Sequence, residues 1–155
     1  MKRQLDDYYD RFYCKEAARA KRLCADNYTI AKELAAWKER VAAHWDEVEV
    51  KSVSLPDNVE SGLKVGSEYI DTVVVDGKEI ADSIGVDLVV AKRGDGSLHD
   101  YRSFEMEVTK REGSVVTFQL RYPIKYSGSY KFAFRLFPKN EELPHRMDFA
   151  YTKWF

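Results

Sequence analysis

The sequence predicts an α+β protein, mainly β, in which an N-terminal helical hairpin precedes a set of short antiparallel strands. Residues 3 to about 45 contain no Gly and no Pro and are rich in Ala, Lys, Glu and Arg, which are strong helix formers. All eight Gly and four Pro lie beyond residue 47. From Glu47 onward apolar residues recur with a period of two instead of three to four. These observations place a helical region at 1–46 and a β-domain at 47–155.

The helical region reads as two helices. A break is expected at "CADNYT", where Asp26 or Asn27 can cap the next helix by accepting from an early backbone N–H. In the second helix Ile30, Leu34, Trp37, Val41 and Trp45 form one apolar stripe. The first helix carries two arcs: Leu5, Tyr8, Tyr9, Phe12 and Tyr13, and then Ala17, Ala20, Leu23 and Cys24, centred about 80° further round at ~100° per residue. The second arc suits an αα-hairpin partner. The aromatic arc exceeds what a short hairpin needs and reads as half of a contact, a candidate interdomain surface or homodimer seam.

Seven strands are expected near 47–54, 67–75, 84–92, 101–110, 114–122, 129–137 and 148–154. Turn signals at Asp76-Gly77, Gly94-Asp95-Gly96, Glu112-Gly113 and Ser127-Gly128 punctuate them. Val116, Phe118, Leu120 and Tyr122 should share one face, as should Tyr130, Phe132, Phe134 and Leu136. Seven short strands over ~110 residues suggest a two-sheet β-sandwich, immunoglobulin-like in outline, with a barrel as the alternative. The Cys, Trp, Cys spacing of antibody domains is missing. At the end of the chain, Pro138 and Pro144 should stop one strand, and Phe149, Tyr151 and Trp154 should close the sandwich, with Phe155 paired into a sheet or packed on a surface.

Composition narrows the function classes. Lys plus Arg (25) nearly balances Asp plus Glu (26), which supplies no basic surplus for nucleic acid. No apolar run reaches the roughly 18 residues of a membrane span, and "MKRQLDDYYDRF" lacks an apolar signal segment, so a cytoplasmic location is expected. The sequon Asn27-Tyr28-Thr29 then has no glycosylation to direct. Cys14 and Cys24 fall in one predicted helix about 15 Å apart, too far to bridge, and read as reduced structural thiols.

Catalytic signals are sparse. His44, His99 and His145 fall in a helix end, a hairpin and the terminal loop, each without a second ligand nearby, so no metal site is expected. Glu105 and Glu107, two apart on the expected fourth strand, share a face as paired acids would, but that face is polar and suits ion pairing with Lys or Arg. "RGDGS" at 93–97 is a hairpin tip, with no Lys-Ser/Thr and no following helix to cradle a phosphate. Among Trp37, Trp45 and Trp154, the first two lie on the helical stripe, which leaves Trp154 as the candidate for stacking on a sugar ring.

Two stretches carry a resemblance. Tyr8 to Tyr13, Ala35-Ala36-Trp37-Lys38 and Trp45-Asp46-Glu47-Val48, in order, resemble the segment that follows the catalytic core of bacterial α-glucan (glycogen/maltodextrin) phosphorylases. "SGSYKFAFRLFPKNEELPHRMDFAYTKWF" is similar to the extreme C-terminus of the same family. The resemblance implies a non-catalytic C-terminal accessory domain of a larger glycosyltransferase that uses pyridoxal phosphate. Its partners would be the upstream catalytic domains and, in an alternative reading, the glucan itself. No catalytic, cofactor-binding or metal residue of that family has a counterpart here, and Met1 reads as an internal methionine or an artificial start.

Overall fold

The computed structural model describes residues 8, 9, 13–56 and 62–155. Leu5 and Phe12 of the expected aromatic arc lie outside the described residues. The chain divides into two compact units, Met1–Arg40 and Val41–Phe155.

One helix, α1, runs Cys14–His44, but Ala25 (ψ 158°) and Asp26, Asn27 and Tyr28 (φ 47°, 56° and 63°) leave helical geometry inside it. The break therefore falls within "CADNYT", as expected. Three successive non-glycine residues in the left-handed region cost about 1 kcal/mol or more each, least for Asp and Asn, whose short polar side chains tolerate it. The bond made here is not the expected cap: the Thr29 hydroxyl donates to the Asp26 carbonyl at 2.6 Å. Ile30, Leu34 and Trp37 are half-buried, and Val41 and Trp45 are buried. Cys14 and Cys24 are free and exposed, so neither is a packed core thiol.

Among the described residues the second unit holds eight strands where seven were expected. They are β1 (Glu49–Ser54), β2 (Glu68–Asp76), β3 (Ile84–Gly94), β4 (Ser97–Glu105), β5 (Glu107–Glu112), β6 (Val115–Pro123), β7 (Tyr130–Pro138) and β8 (Lys153–Trp154). They form two four-stranded sheets, β1-β2-β6-β5 and β4-β3-β7-β8. Every pairing is antiparallel.

The extra strand comes from the stretch 101–110. It divides at Met106, whose N–H donates to the Val86 carbonyl at 2.8 Å while its side chain is buried. The chain thus leaves the second sheet after Glu105 and joins the first at Glu107. Periodicity cannot reveal this, because both strands keep the period of two.

Hairpin chemistry follows the turn residues. Gly94 pairs with Ser97 across Asp95 (φ 45°) and Gly96 (φ 81°), a two-residue turn with both central residues left-handed, as the strand twist requires. Gly85 is needed for a different reason: a Cβ there would lie 2.6 Å from the Phe137 ring, which rests on the bare backbone.

Val73, Val75, Val86, Val116, Phe118 and Leu136 are buried to within 1% of full coverage and contribute from both sheets. The Phe104 and Tyr122 rings, 4.6 Å apart, join β4 to β6 across them. The β6 row is inward as expected. The β7 row is inward only in part, since Phe134 and Leu136 are buried but Tyr130 and Phe132 are exposed. Phe104 and Phe134 flank Leu88 on one rung, and Tyr122 is one residue from the last rung of the first sheet (Glu68 with Pro123), so the second sheet continues past its cover.

The C-terminus corrects a further expectation. Instead of one strand over 148–154, a 3-10 turn at Arg146–Phe149 precedes the two-residue β8. Phe155 exchanges backbone bonds with Phe134 at 2.9 and 3.1 Å, and their rings stack at 5.6 Å. Phe155 therefore packs on a core ring, while Trp154, expected inside, is 57% exposed on the opposite face. Alternation along a strand permits only one of two neighbours to face inward.

Candidate functional site

The outer face of the second sheet carries a row of charged groups on one rung. Antiparallel register sets Glu105 of β4 beside Asp87 of β3, Asp87 beside Arg135 of β7, and Arg135 beside Trp154 of β8. Asp87 is fully buried. Its Oδ2 accepts from Arg135 Nη2 and Arg146 Nη1, each at 2.5 Å, and from Ser103 Oγ at 3.2 Å. Charge-assisted bonds of this kind offset the cost of burying the carboxylate.

Arg146 reaches this face from the loop after β7. Its Nη2 donates to Glu105 Oε2 at 2.6 Å, and its guanidinium lies 3.9 Å from the Phe137 ring centroid. Lys139 Nζ donates to the other Glu105 oxygen at 2.6 Å. Arg135 lies 5.6 Å from the centroid of the Trp154 ring. The exposed indole is thereby connected, through the Arg135 guanidinium, to a carboxylate shielded from water.

A second anchor holds the chain end. Lys153 Nζ donates to the carbonyls of Asp46 and Val48, each at 3.2 Å, and Trp45 meets Tyr151 at 5.7 Å between centroids.

A buried acid also lies in the apolar row of β2. Tyr69, Asp71, Val73 and Val75 alternate inward, and among the described residues the Asp71 carboxylate and Tyr69 hydroxyl have no hydrogen-bond partner within bonding distance. Burial raises the Asp71 pKa to about 6, opposed by the neighbouring Tyr69 phenol, and burial also raises that phenol. Asp76, at the end of the same strand, accepts from Lys78 Nζ at 2.7 Å and from its backbone N–H at 3.2 Å. The lysine bond, with help from Ser114, holds that carboxyl well below the usual range.

Where β4 gives way to β5 there is a cleft of about 540 Å³ lined by Ile84, Met106, Phe118, Glu107, Arg111 and Asn140 among others. Two of its polar groups already have structural partners: Arg111 Nη1 donates to the Ala81 carbonyl and Asn140 Oδ1 accepts from the Glu142 N–H, both at 2.8 Å.

The expected site residues are scattered among these features. Glu105 and Glu107 do not share a strand, because the crossover at Met106 separates them into different sheets. Glu105 does meet cations, though they come from the end of β7 and the terminal loop. The histidines make local contacts: His44 Nδ1 with Glu47 (3.1 Å), His99 Nδ1 with Asp100 (3.2 Å), and His145 Nδ1 accepting from the Met147 N–H (3.1 Å). Among the described residues no group of three or more His, Cys, Asp or Glu is placed to hold a metal, and no helix is long and apolar enough to cross a membrane. Tyr8, Tyr9 and Tyr13 are exposed. Sequence reasoning missed Asp87, Arg135 and Arg146. It also missed Asp71, whose signal was legible as one carboxylate in the alternating row of "EYIDTVVVD".

Two sheets of this order, closed by a terminal segment that folds back on the second, define a β-rich module with a helical lead-in. Residues 45–155 match the family described as glycogen phosphorylase C-terminal domain, and the chain belongs to that family. The maltodextrin phosphorylase of Thermococcus litoralis is 25% identical over 162 residues, covering 98% of this chain and 18% of that protein. The chain thus spans less than a fifth of the length of this curated relative. The match supports the phosphorylase resemblance without restricting it to bacteria.

Proposed function

We propose that this chain is a non-catalytic accessory domain of an α-glucan phosphorylase, with a structural or interface-forming role beside the catalytic domains of a larger cytoplasmic polypeptide. The observation that carries this reading is the family match over 45–155 on a unit whose charged groups are engaged in holding the terminal segment. Asp87, Arg135, Arg146, Glu105 and Lys139 are bonded to one another and stabilise a fold, and where Glu105 and Lys139 border the cleft beside Met106 they are engaged as an ion pair.

Pyridoxal phosphate is proposed for the parent enzyme, where it would serve the transfer of glucosyl units to phosphate. The second unit does not fit that cofactor. An aldehyde cofactor needs a lysine amine held ready in an enclosed pocket, whereas Lys51, Lys78, Lys110 and Lys139 are paired with carboxylates, Lys153 with backbone carbonyls, Lys64, Lys125 and Lys131 are exposed, and Lys92 is half-buried on β3. No step of phosphorolysis is therefore assigned to these residues.

The strand orders β1-β2-β6-β5 and β4-β3-β7-β8 support an immunoglobulin-like sandwich, since they parallel the A-B-E-D and C′-C-F-G layers of that fold. The upstream catalytic domains are the proposed partners, and the aromatic arc Leu5, Tyr8, Tyr9, Phe12 and Tyr13 is the proposed contact.

Phosphorolysis by the parent enzyme with and without this domain tests the reading. The truncated enzyme should lose thermal stability or assembly while each folded molecule keeps its chemistry. Release of glucose 1-phosphate from maltoheptaose and phosphate by the 155-residue chain alone would overturn it.

A further inference from the structure

We propose that the rung carrying Trp154, Arg135 and Glu105 on the outer face of the second sheet is a surface site for a neutral oligosaccharide. Trp154 is 57% exposed, with Arg135 against its ring 5.6 Å from the centroid. Arg135 is fixed in turn by the buried Asp87, so the indole rests on an anchored support. Aromatic faces of this kind take the C–H face of a pyranose ring, and anchoring lowers the ordering cost of binding.

Polar groups continue from the indole in alternating order. The Arg135 guanidinium, the buried Asp87 carboxylate, the Arg146 guanidinium, the Glu105 carboxylate and the Lys139 ammonium follow one another through contacts of 2.5 to 2.6 Å. The Arg146 and Glu105 side chains remain 40% and 36% exposed. Planar donors and a carboxylate acceptor held side by side suit vicinal hydroxyls, which both donate and accept. Four neighbouring strands at ~4.8 Å give a rung about 14 Å long, enough for roughly three linked sugar units.

An anion fits less well. The two carboxylates on the rung, Asp87 and Glu105, already engage Arg135 Nη2, both Nη atoms of Arg146 and Lys139 Nζ. The choice of an α-1,4-glucan as probe rests on the proposed phosphorylase reading; the geometry of the site does not.

Titration of the 155-residue chain with maltoheptaose, followed by tryptophan fluorescence and calorimetry, tests the site. Saturable binding in the millimolar range is expected, weakened at least tenfold in Trp154→Ala, with binding retained in the control Tyr101→Ala. Glu105→Gln, which keeps the shape but removes a charged acceptor, should weaken binding while leaving cooperative melting in place. Absence of saturation at about 20 mM sugar, or equal binding by wild type and Trp154→Ala, would overturn the proposal. Either failure leaves the accessory role standing, since that is decided by truncation of the parent enzyme. Retained sugar binding alongside a catalytically active isolated chain would instead sink only the accessory reading.

Discussion

Asp71 occupies a core position with a side chain that water solvates better than valine neighbours can. Its folded pKa of about 6 lies above the ordinary carboxylate value of 3.8, with burial as the main cause. Between these two values the native state binds more protons than the unfolded chain, so stability falls as pH rises. The Asp71 contribution is most favourable below about pH 4, declines through pH 6, and then levels off at a cost of about 3 kcal/mol. Asp71→Asn is therefore expected to stabilise the second unit by ~1–3 kcal/mol at pH 8 and to have little effect at pH 4. Chemical denaturation at both pH values checks this; an equal change at both would refute the assignment. Asp76 has the opposite sign. Its depressed pKa contributes stability above the ordinary carboxylate value that is lost as pH falls through the folded value.

Asp87 is a buried carboxylate of a different kind, because it has cationic partners. Arg146→Met should cost ~2–4 kcal/mol by removing one of its two guanidinium groups, and Asp87→Asn in that background should recover part of the loss. A double-mutant cycle by urea denaturation measures the coupling, and additive effects would show that the two residues act independently.

At the scale of elements, the terminal segment carries interactions far beyond its length. Phe155 bonds and stacks with Phe134, Lys153 binds the carbonyls of Asp46 and Val48, and Trp154 pairs with Arg135. Deleting residues 149–155 is expected to abolish cooperative unfolding of the second unit. A truncated protein that still melts in one sharp transition would contradict this. The first helix offers a separate test, because Tyr8, Tyr9 and Tyr13 expose aromatic surface. If that arc is the seam of a homodimer in the isolated chain, Tyr9→Ser and Tyr13→Ser should shift light scattering from dimer toward monomer, and a strictly monomeric wild type would exclude it.

For the whole molecule, the change from a helical period to a period of two, together with Gly and Pro confined to the second part, was enough to read a helical lead-in and a β-domain. Turn dipeptides such as Asp95-Gly96 marked strand ends because only certain residues accept left-handed φ at low cost. The helix break at 25–28 was legible for the same local reason. The family was legible too, from ordered motifs at both ends of the chain. These properties depend on neighbours in sequence, and the amino-acid order alone determined them.

What the sequence left open depended on residues brought together from far apart. The division of one apparent strand at Met106, and hence the separation of Glu105 from Glu107, follows from which sheet each half joins. Asp87 reads as an ordinary surface carboxylate on an outward face until Arg146, 59 positions later, covers it. Trp154 and Phe155 are adjacent aromatics whose order alone does not say which faces the core. Tertiary structure decided these points, because burial, ion pairing and the choice of face are set by the partner surface and not by the local pattern.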